Sequence, residues 1–118
     1  MNAVATYQEN SVSTQSRGRI VVLLYEGAIK FMKQAILALE EQNYEAKGRY
    51  IGRAQDIINE LNVVLNMEVG GEIAKNLRSL YCFMNTYLSK ANTERSPEML
   101  NDVINIMEEL NEGWKAVA

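Results

Sequence analysis

Hydrophobic positions recur from Arg17 onward with the period of about 3.6 residues that is typical of helices. The pattern predicts four helices, over Gly18–Glu41, Tyr44–Met67, Gly71–Ala91 and Pro97–Lys115. No segment shows the alternation of apolar and polar residues that indicates a half-buried strand. Helices of about 20 residues with short connections predict an all-α fold, an antiparallel four-helix bundle.

Local signals support three of the predicted boundaries. Asn43 is a candidate N-cap for the second helix, and Ser96-Pro97-Glu98 combines a hydroxyl cap, a proline at the first helical position and an early acid. Gly70 and Gly71 interrupt the periodicity, as expected where the backbone needs a positive φ. These signals predict short connections rather than long loops.

The segment from Asn2 to Ser16 is polar, and its large apolar side chains are Val4, Tyr7 and Val12. Alone it buries too little surface to offset its ordering entropy, so we predict a mobile N-terminal arm. At most it forms one short turn of helix around Tyr7. The predicted organisation is therefore an arm or cap over residues 1–16 and a helical bundle over residues 17–118.

The first predicted helix has an unusually wide apolar face. Its predicted core positions are Ile20, Val21, Leu24, Ala28, Phe31, Met32, Ala35 and Leu39. A second group extends this face to about 200° of the helical circumference: Val22, Tyr25, Ile29 and Ile36. Either this helix is the most buried of the four, or the second group faces a partner, a second copy or the N-terminal arm.

Two glycines lie four residues apart on the second predicted helix, away from its apolar stripe. Gly48 and Gly52 each cost about 1 kcal/mol of helix propensity relative to alanine. One interpretation is a smooth face that another backbone can approach closely. The other is simple tolerance of weak positions in a long helix.

The composition excludes several kinds of catalytic and metal-binding site. The 118 residues include no histidine and one cysteine, Cys82, and the formal net charge is -3. Histidine-based catalysis and most zinc or di-iron sites are excluded, and no intramolecular disulfide can form, which favours a reducing cytoplasm. From this composition we expect no enzyme activity, no cofactor and no metal. We also expect no nucleic acid partner and no membrane insertion, because basic clusters and long apolar runs are missing.

Several sequence phrases together resemble the FliS family of flagellar export chaperones. The N-terminal run Tyr7-Gln8-Glu9-Asn10-Ser11-Val12 is similar to the tyrosine motif of that family, and Leu23-Leu24-Tyr25-Glu26-Gly27-Ala28-Ile29 to its first-helix signature. The second helix carries the similar phrase Ala54-Gln55-Asp56-Ile57-Ile58-Asn59-Glu60-Leu61. The third begins with Gly70-Gly71-Glu72-Ile73-Ala74-Lys75-Asn76-Leu77, followed by Leu80-Tyr81, and Trp114 lies where the family has a late tryptophan. The resemblance runs from about Tyr7 to Trp114.

The resemblance implies a cytosolic bundle that binds the C-terminal segment of flagellin one-to-one, prevents its polymerisation and delivers it to the flagellar export apparatus. It also implies that a short N-terminal element caps an apolar groove in the absence of flagellin. We therefore expect partner-binding residues on the first two helices and in the arm: Tyr7, Val22, Tyr25, Ile29, Ile36, Gly48 and Gly52. Aspartate at Tyr25 or Ile29, taken as lying on an exposed side, should abolish binding.

Two other functions compete with this one. A homo-oligomeric structural or adaptor protein would bury the wide face of the first helix against a second copy. A small helical enzyme without histidine would need a basic clamp in its core, but Lys30, Arg49, Arg53 and Arg78 project onto polar faces.

Overall fold

The computed structural model describes the backbone of residues 3–68 and 71–118, and the side chains of residues 18–65 and 71–118. Four helices account for nearly all of this: α1 (Ala3–Glu40), α2 (Tyr44–Glu68), α3 (Gly71–Glu94) and α4 (Pro97–Val117). No strand occurs among the described residues. The predicted all-α four-helix fold is confirmed.

The helices form a ring in chain order, with each one antiparallel to the next. α1 packs on α2, α2 on α3 and α3 on α4, and α4 closes the ring against α1. Gly18 of α1 lies beside Ala118 after the end of α4, and Tyr25 packs on Trp114. The α1 start and the α4 end therefore share one end of the bundle. The α3–α4 pair makes the least extensive contact of the four.

The predicted helix boundaries are confirmed where a cap defines them. The Asn43 side chain accepts a hydrogen bond from the Ala46 N–H, and the Ser96 hydroxyl accepts one from the Met99 N–H. Gly71 has a φ of +76° at the start of α3, a conformation that a residue without a Cβ adopts most easily. Gly70 lies outside the described residues.

The start of α1 differs from the prediction. The helix begins at Ala3, fifteen residues before the predicted Gly18, so the expectation of at most one turn of helix near Tyr7 is wrong. No proline or glycine interrupts Ala3–Arg17, and each residue added to an existing helix gains a hydrogen bond without a new nucleation cost. The predicted division into an arm and a bundle remains a prediction.

The core consists of one apolar cluster that all four helices share. Its centre is formed by residues whose side chains are fully buried: Tyr25, Met32, Ile51, Ile58, Tyr81, Met84, Leu88, Leu100, Val103 and Met107. Burial of each large apolar side chain contributes about 1.5–3 kcal/mol. Among the described residues, no helix is both long enough and apolar enough to cross a membrane.

Candidate functional site

The candidate site is a groove between α3 and α4. The Tyr87 hydroxyl donates a hydrogen bond to Asp102, which identifies the side of α3 that faces α4. At 100° per residue, Ile73, Leu77, Leu80 and Tyr87 fall within an arc of about 80° on that side. On α4, an arc of about 60° contains the opposite wall of the groove: Met99, Ile106, Leu110, Gly113 and Val117.

The antiparallel register brings these two rows to matching levels. Because both helices rise by about 1.5 Å per residue, the Tyr87–Asp102 contact places Leu80 near the level of Leu110 and Ile73 near that of Val117. The row from Ile73 to Tyr87 is about 21 Å long, enough for a helix of about four turns. We call these two rows together the α3–α4 groove.

Apolar surface is left uncovered along this groove. Ile73 is 67% exposed and Val117 is 77% exposed, while Leu80 and Leu110 are half-buried. A Cβ added at Gly113 would meet no atom within 4 Å, so the α4 wall is open at that level. Neither row contains a charged residue. Apolar side chains therefore dominate the groove, and Asp102 borders it where it accepts the hydrogen bond of the Tyr87 hydroxyl.

Apolar side chains are also exposed elsewhere on the molecule. On α1 these are Ile20, Leu23 and Leu37, and Phe83 of α3 is half-exposed while stacking on Tyr87. Ile20 and Leu23 lie near the end of the bundle that also holds Ile73 and Val117. Exposed apolar surface is thus concentrated toward the end where residues 3–17 of α1 emerge.

Two predicted partner-binding residues lie in the core, and whether they contact a partner remains a prediction. Tyr25 is 0% exposed and Ile29 is 9% exposed, so the expectation that they lie on an exposed side is wrong. The Tyr25 hydroxyl is 2.7 Å from the Tyr81 hydroxyl across the bundle, and its ring packs on Trp114. The true core face of α1 is rotated toward α4, and Ile20, a predicted core residue, is 46% exposed.

The buried tyrosine pair predicts a steep loss of stability at alkaline pH. Burial raises the pKa of Tyr25, and burial together with the Tyr25 hydrogen bond raises that of Tyr81. Above about pH 10 the unfolded chain releases these protons while the folded chain keeps them, so stability falls by up to about 1.4 kcal/mol per pH unit for each tyrosine. The double variant Tyr25→Phe/Tyr81→Phe should lose this component in urea unfolding from about pH 9 to about pH 11. Equal pH slopes in both proteins would contradict the assignment.

The other predicted helix positions lie apart from the α3–α4 groove. Val22 and Ile36 of α1 are half-buried, with Ile36 packed against the core. Gly52 lies beside a polar surface between α2 and α3, where Gln55 donates hydrogen bonds to the Asn85 carbonyl and the Ser89 hydroxyl. A partner contact at any of these positions remains a prediction.

Gly48 lies beside the C-terminal end of α3. A Cβ added there would approach the Asn92 side chain at 3.8 Å, an ordinary contact. The adjacent Lys47 is buried, and its ammonium donates to the Asn92 carbonyl at 2.9 Å and to the Asn92 side chain. Burial and the Arg95 charge lower the pKa of Lys47. This lysine satisfies a carbonyl in the last turn of α3, and a partner contact at Gly48 remains a prediction.

Comparison with known proteins gives the family. All 118 residues match the family described as flagellar protein FliS. The chain belongs to the FliS family. A flagellar secretion chaperone FliS of Vibrio cholerae is 40% identical over 109 residues, which cover 92% of this chain and 80% of that relative. The Bacillus subtilis FliS is 33% identical over 114 residues, which cover 97% of this chain and 84% of the relative, and is also named a flagellar secretion chaperone.

Membership in the FliS family confirms the resemblance drawn from the sequence phrases, but the α3–α4 groove was not predicted. Ile73 continues the apolar periodicity of the third helix, which by itself favours a core position, yet it is 67% exposed. The available signal was the width of the apolar face on the fourth helix, which includes Ile106 and Leu110. The Tyr7 side chain lies outside the described residues, so its expected place in a groove of this FliS-family protein is untested.

Proposed function

We propose that the chain is a cytoplasmic export chaperone that binds the C-terminal segment of flagellin, one segment per bundle, in the α3–α4 groove. Binding would bury apolar surface that otherwise drives premature polymerisation of flagellin. The complex would then deliver the segment to the flagellar export apparatus. Family membership supports the chaperone role, and the relatives carry that role in their names.

The observation that carries this proposal is a pair of apolar rows about 21 Å long on α3 and α4, the two neighbouring helices that make the least extensive contact in the ring. A disordered client segment can fold into such a groove as an amphipathic helix, with anchors at successive turns. Each large side chain that it buries contributes about 1.5–3 kcal/mol before the cost of ordering the segment. Several anchors are therefore enough to offset that cost.

Calorimetry with the purified chain and a synthetic flagellin C-terminal segment tests the proposal. We expect saturable one-to-one binding with a negative heat-capacity change, the signature of apolar burial. Sedimentation of the free protein should show a monomer. An obligate dimer that fails to bind the segment would instead support the homo-oligomeric adaptor.

We also predict that Tyr7 competes with flagellin for the groove. Burial of a ring of this size contributes about 2 kcal/mol, less the ordering cost of the N-terminal segment. Tyr7→Ala should increase binding of a hydrophobic dye to the free protein, and it should leave flagellin affinity unchanged or up to about tenfold tighter. Calorimetry on both proteins checks this. A marked loss of affinity would mean that Tyr7 contacts flagellin directly.

A further inference from the structure

The third helix is anchored unevenly along its length. Its buried residues are Ala74, Tyr81, Met84, Leu88 and Ala91. Only the small Ala74 belongs to residues 71–80, whereas the other four lie between residues 81 and 91. Ile73 near the start is 67% exposed, and Leu77 and Leu80 are half-buried. We call residues 71–80 the leading segment of α3.

Polar contacts attach the rest of α3 to the other helices. The Tyr81 hydroxyl is 2.7 Å from the Tyr25 hydroxyl of α1. Further along the helix, four residues form hydrogen bonds with α2 or α4: Asn85, Tyr87, Ser89 and Asn92. Residues 81–94 therefore cannot leave the bundle without exposing large apolar side chains and breaking these hydrogen bonds.

The facing part of α4 supports the leading segment only weakly. In the register described above, Gly113 lies near the level of the middle of the segment, and a Cβ added there would meet no atom within 4 Å. Val117, near the level of Ile73, is 77% exposed. Local stability depends on the number of buried apolar contacts, so the leading segment should open at a lower free-energy cost than the rest of α3.

We propose that the leading segment opens as a unit while residues 81–94 stay packed, so that the α3 wall of the α3–α4 groove exchanges between an ordered and an open form. Tyr81, which is 1% exposed, marks the boundary of the unit. This opening belongs to the free protein. A second step rests on the proposed function: a client helix in the groove contacts Ile73, Leu77 and Leu80 only in the ordered form, so binding closes the segment.

Hydrogen exchange on the free, full-length chain tests the opening. Measured by nuclear magnetic resonance where exchange reports the opening equilibrium, the amides of residues 76–80 should be at least about tenfold less protected than those of residues 84–91. Ordinary fraying of a helix end is confined to the first turn, so it would spare residues 76–80. Equal protection of the two stretches would overturn the proposal.

A matched pair of glycine variants separates local opening from global unfolding. Lys75 and Lys90 are both exposed lysines of α3, each in an ion pair with a glutamate of the same helix. Lys75→Gly and Lys90→Gly should lower the urea midpoint by similar amounts, because glycine has the same unfavourable helix propensity at both positions. Only Lys75→Gly should speed exchange at residues 76–80, by about three- to fivefold. Equal acceleration by both variants would mean that these amides open only on global unfolding, and the proposal would be wrong.

A synthetic flagellin C-terminal segment tests the closing step. At about 100 times its Kd it should slow exchange at residues 76–80 at least tenfold, and a segment of scrambled sequence should not. A segment that binds in calorimetry but leaves this exchange unchanged would refute the closing step and not the binding. No binding at all would refute the proposed function and the closing step with it, whereas the opening is decided by the free protein and its two glycine variants.

Discussion

Ile73→Asp is expected to weaken binding of the flagellin C-terminal segment by at least about thirtyfold and to leave the bundle folded. Ile73 is 67% exposed at the open end of the α3–α4 groove, so the free protein tolerates a charge there. In the complex that charge must be desolvated beside Leu77 and Val117, and the apolar contact of the isoleucine is lost. Together these effects cost about 2 kcal/mol or more.

Val63→Asp is the matched control, because Val63 is 52% exposed on α2, which lies diagonally across the ring from α4. Calorimetry should show the weakening of about thirtyfold or more only for Ile73→Asp, and circular dichroism should show that both variants keep the helical fold. Wild-type binding should also persist at about 0.5 M salt, since apolar contacts are screened little. If Val63→Asp weakened binding as much, or if salt dissociated the wild-type complex, the α3–α4 groove would not be the binding surface.

The sequence was sufficient for the fold because local signals define it. The Asn43 and Ser96 caps and the positive φ of Gly71 are properties of short segments, and the structure confirms all three. The early start of α1 at Ala3 was missed for a related reason. The prediction was based on how little surface the polar segment Asn2–Ser16 could bury, but a helix already formed downstream can extend into a polar segment without a new nucleation cost.

The candidate site was harder to predict from the sequence, because it depends on how each helix is rotated about its axis against its neighbours. When apolar residues cover about 200° of α1, periodicity leaves the centre of the buried face undetermined. Contact with α3 and α4 determines it: Tyr25 meets Tyr81, 56 positions away in sequence, and Trp114 further along. Likewise, Ile73 continues the apolar periodicity of α3 in sequence, but it is 67% exposed in the structure.

This rotation changes what aspartate at Tyr25 should do. The sequence predicted a folded protein that no longer binds flagellin, but the structure buries Tyr25 at 0% exposure, with its hydroxyl hydrogen-bonded to Tyr81. Tyr25→Asp would place a carboxylate in the core, leave the Tyr81 hydroxyl unpaired and open a cavity beside Trp114. We expect a loss of about 4 kcal/mol or more, comparable to the whole stability of many small domains.

Urea unfolding distinguishes the two explanations for lost binding. Tyr25→Asp should unfold at a much lower urea concentration or fail to fold, whereas Tyr25→Phe, which keeps the ring and removes only the hydroxyl, should lose about 1–2 kcal/mol. Leu23→Asp, at a position that is 56% exposed on the same helix, should change stability by no more than about 0.5 kcal/mol. A Tyr25→Asp protein with wild-type stability and no flagellin binding would mean that Tyr25 contacts flagellin directly. The expected result would mean that Tyr25 holds α1 against α3 and α4. Tyr25 would then determine how α1 is rotated in the bundle, and its effect on flagellin binding at the α3–α4 groove would be indirect.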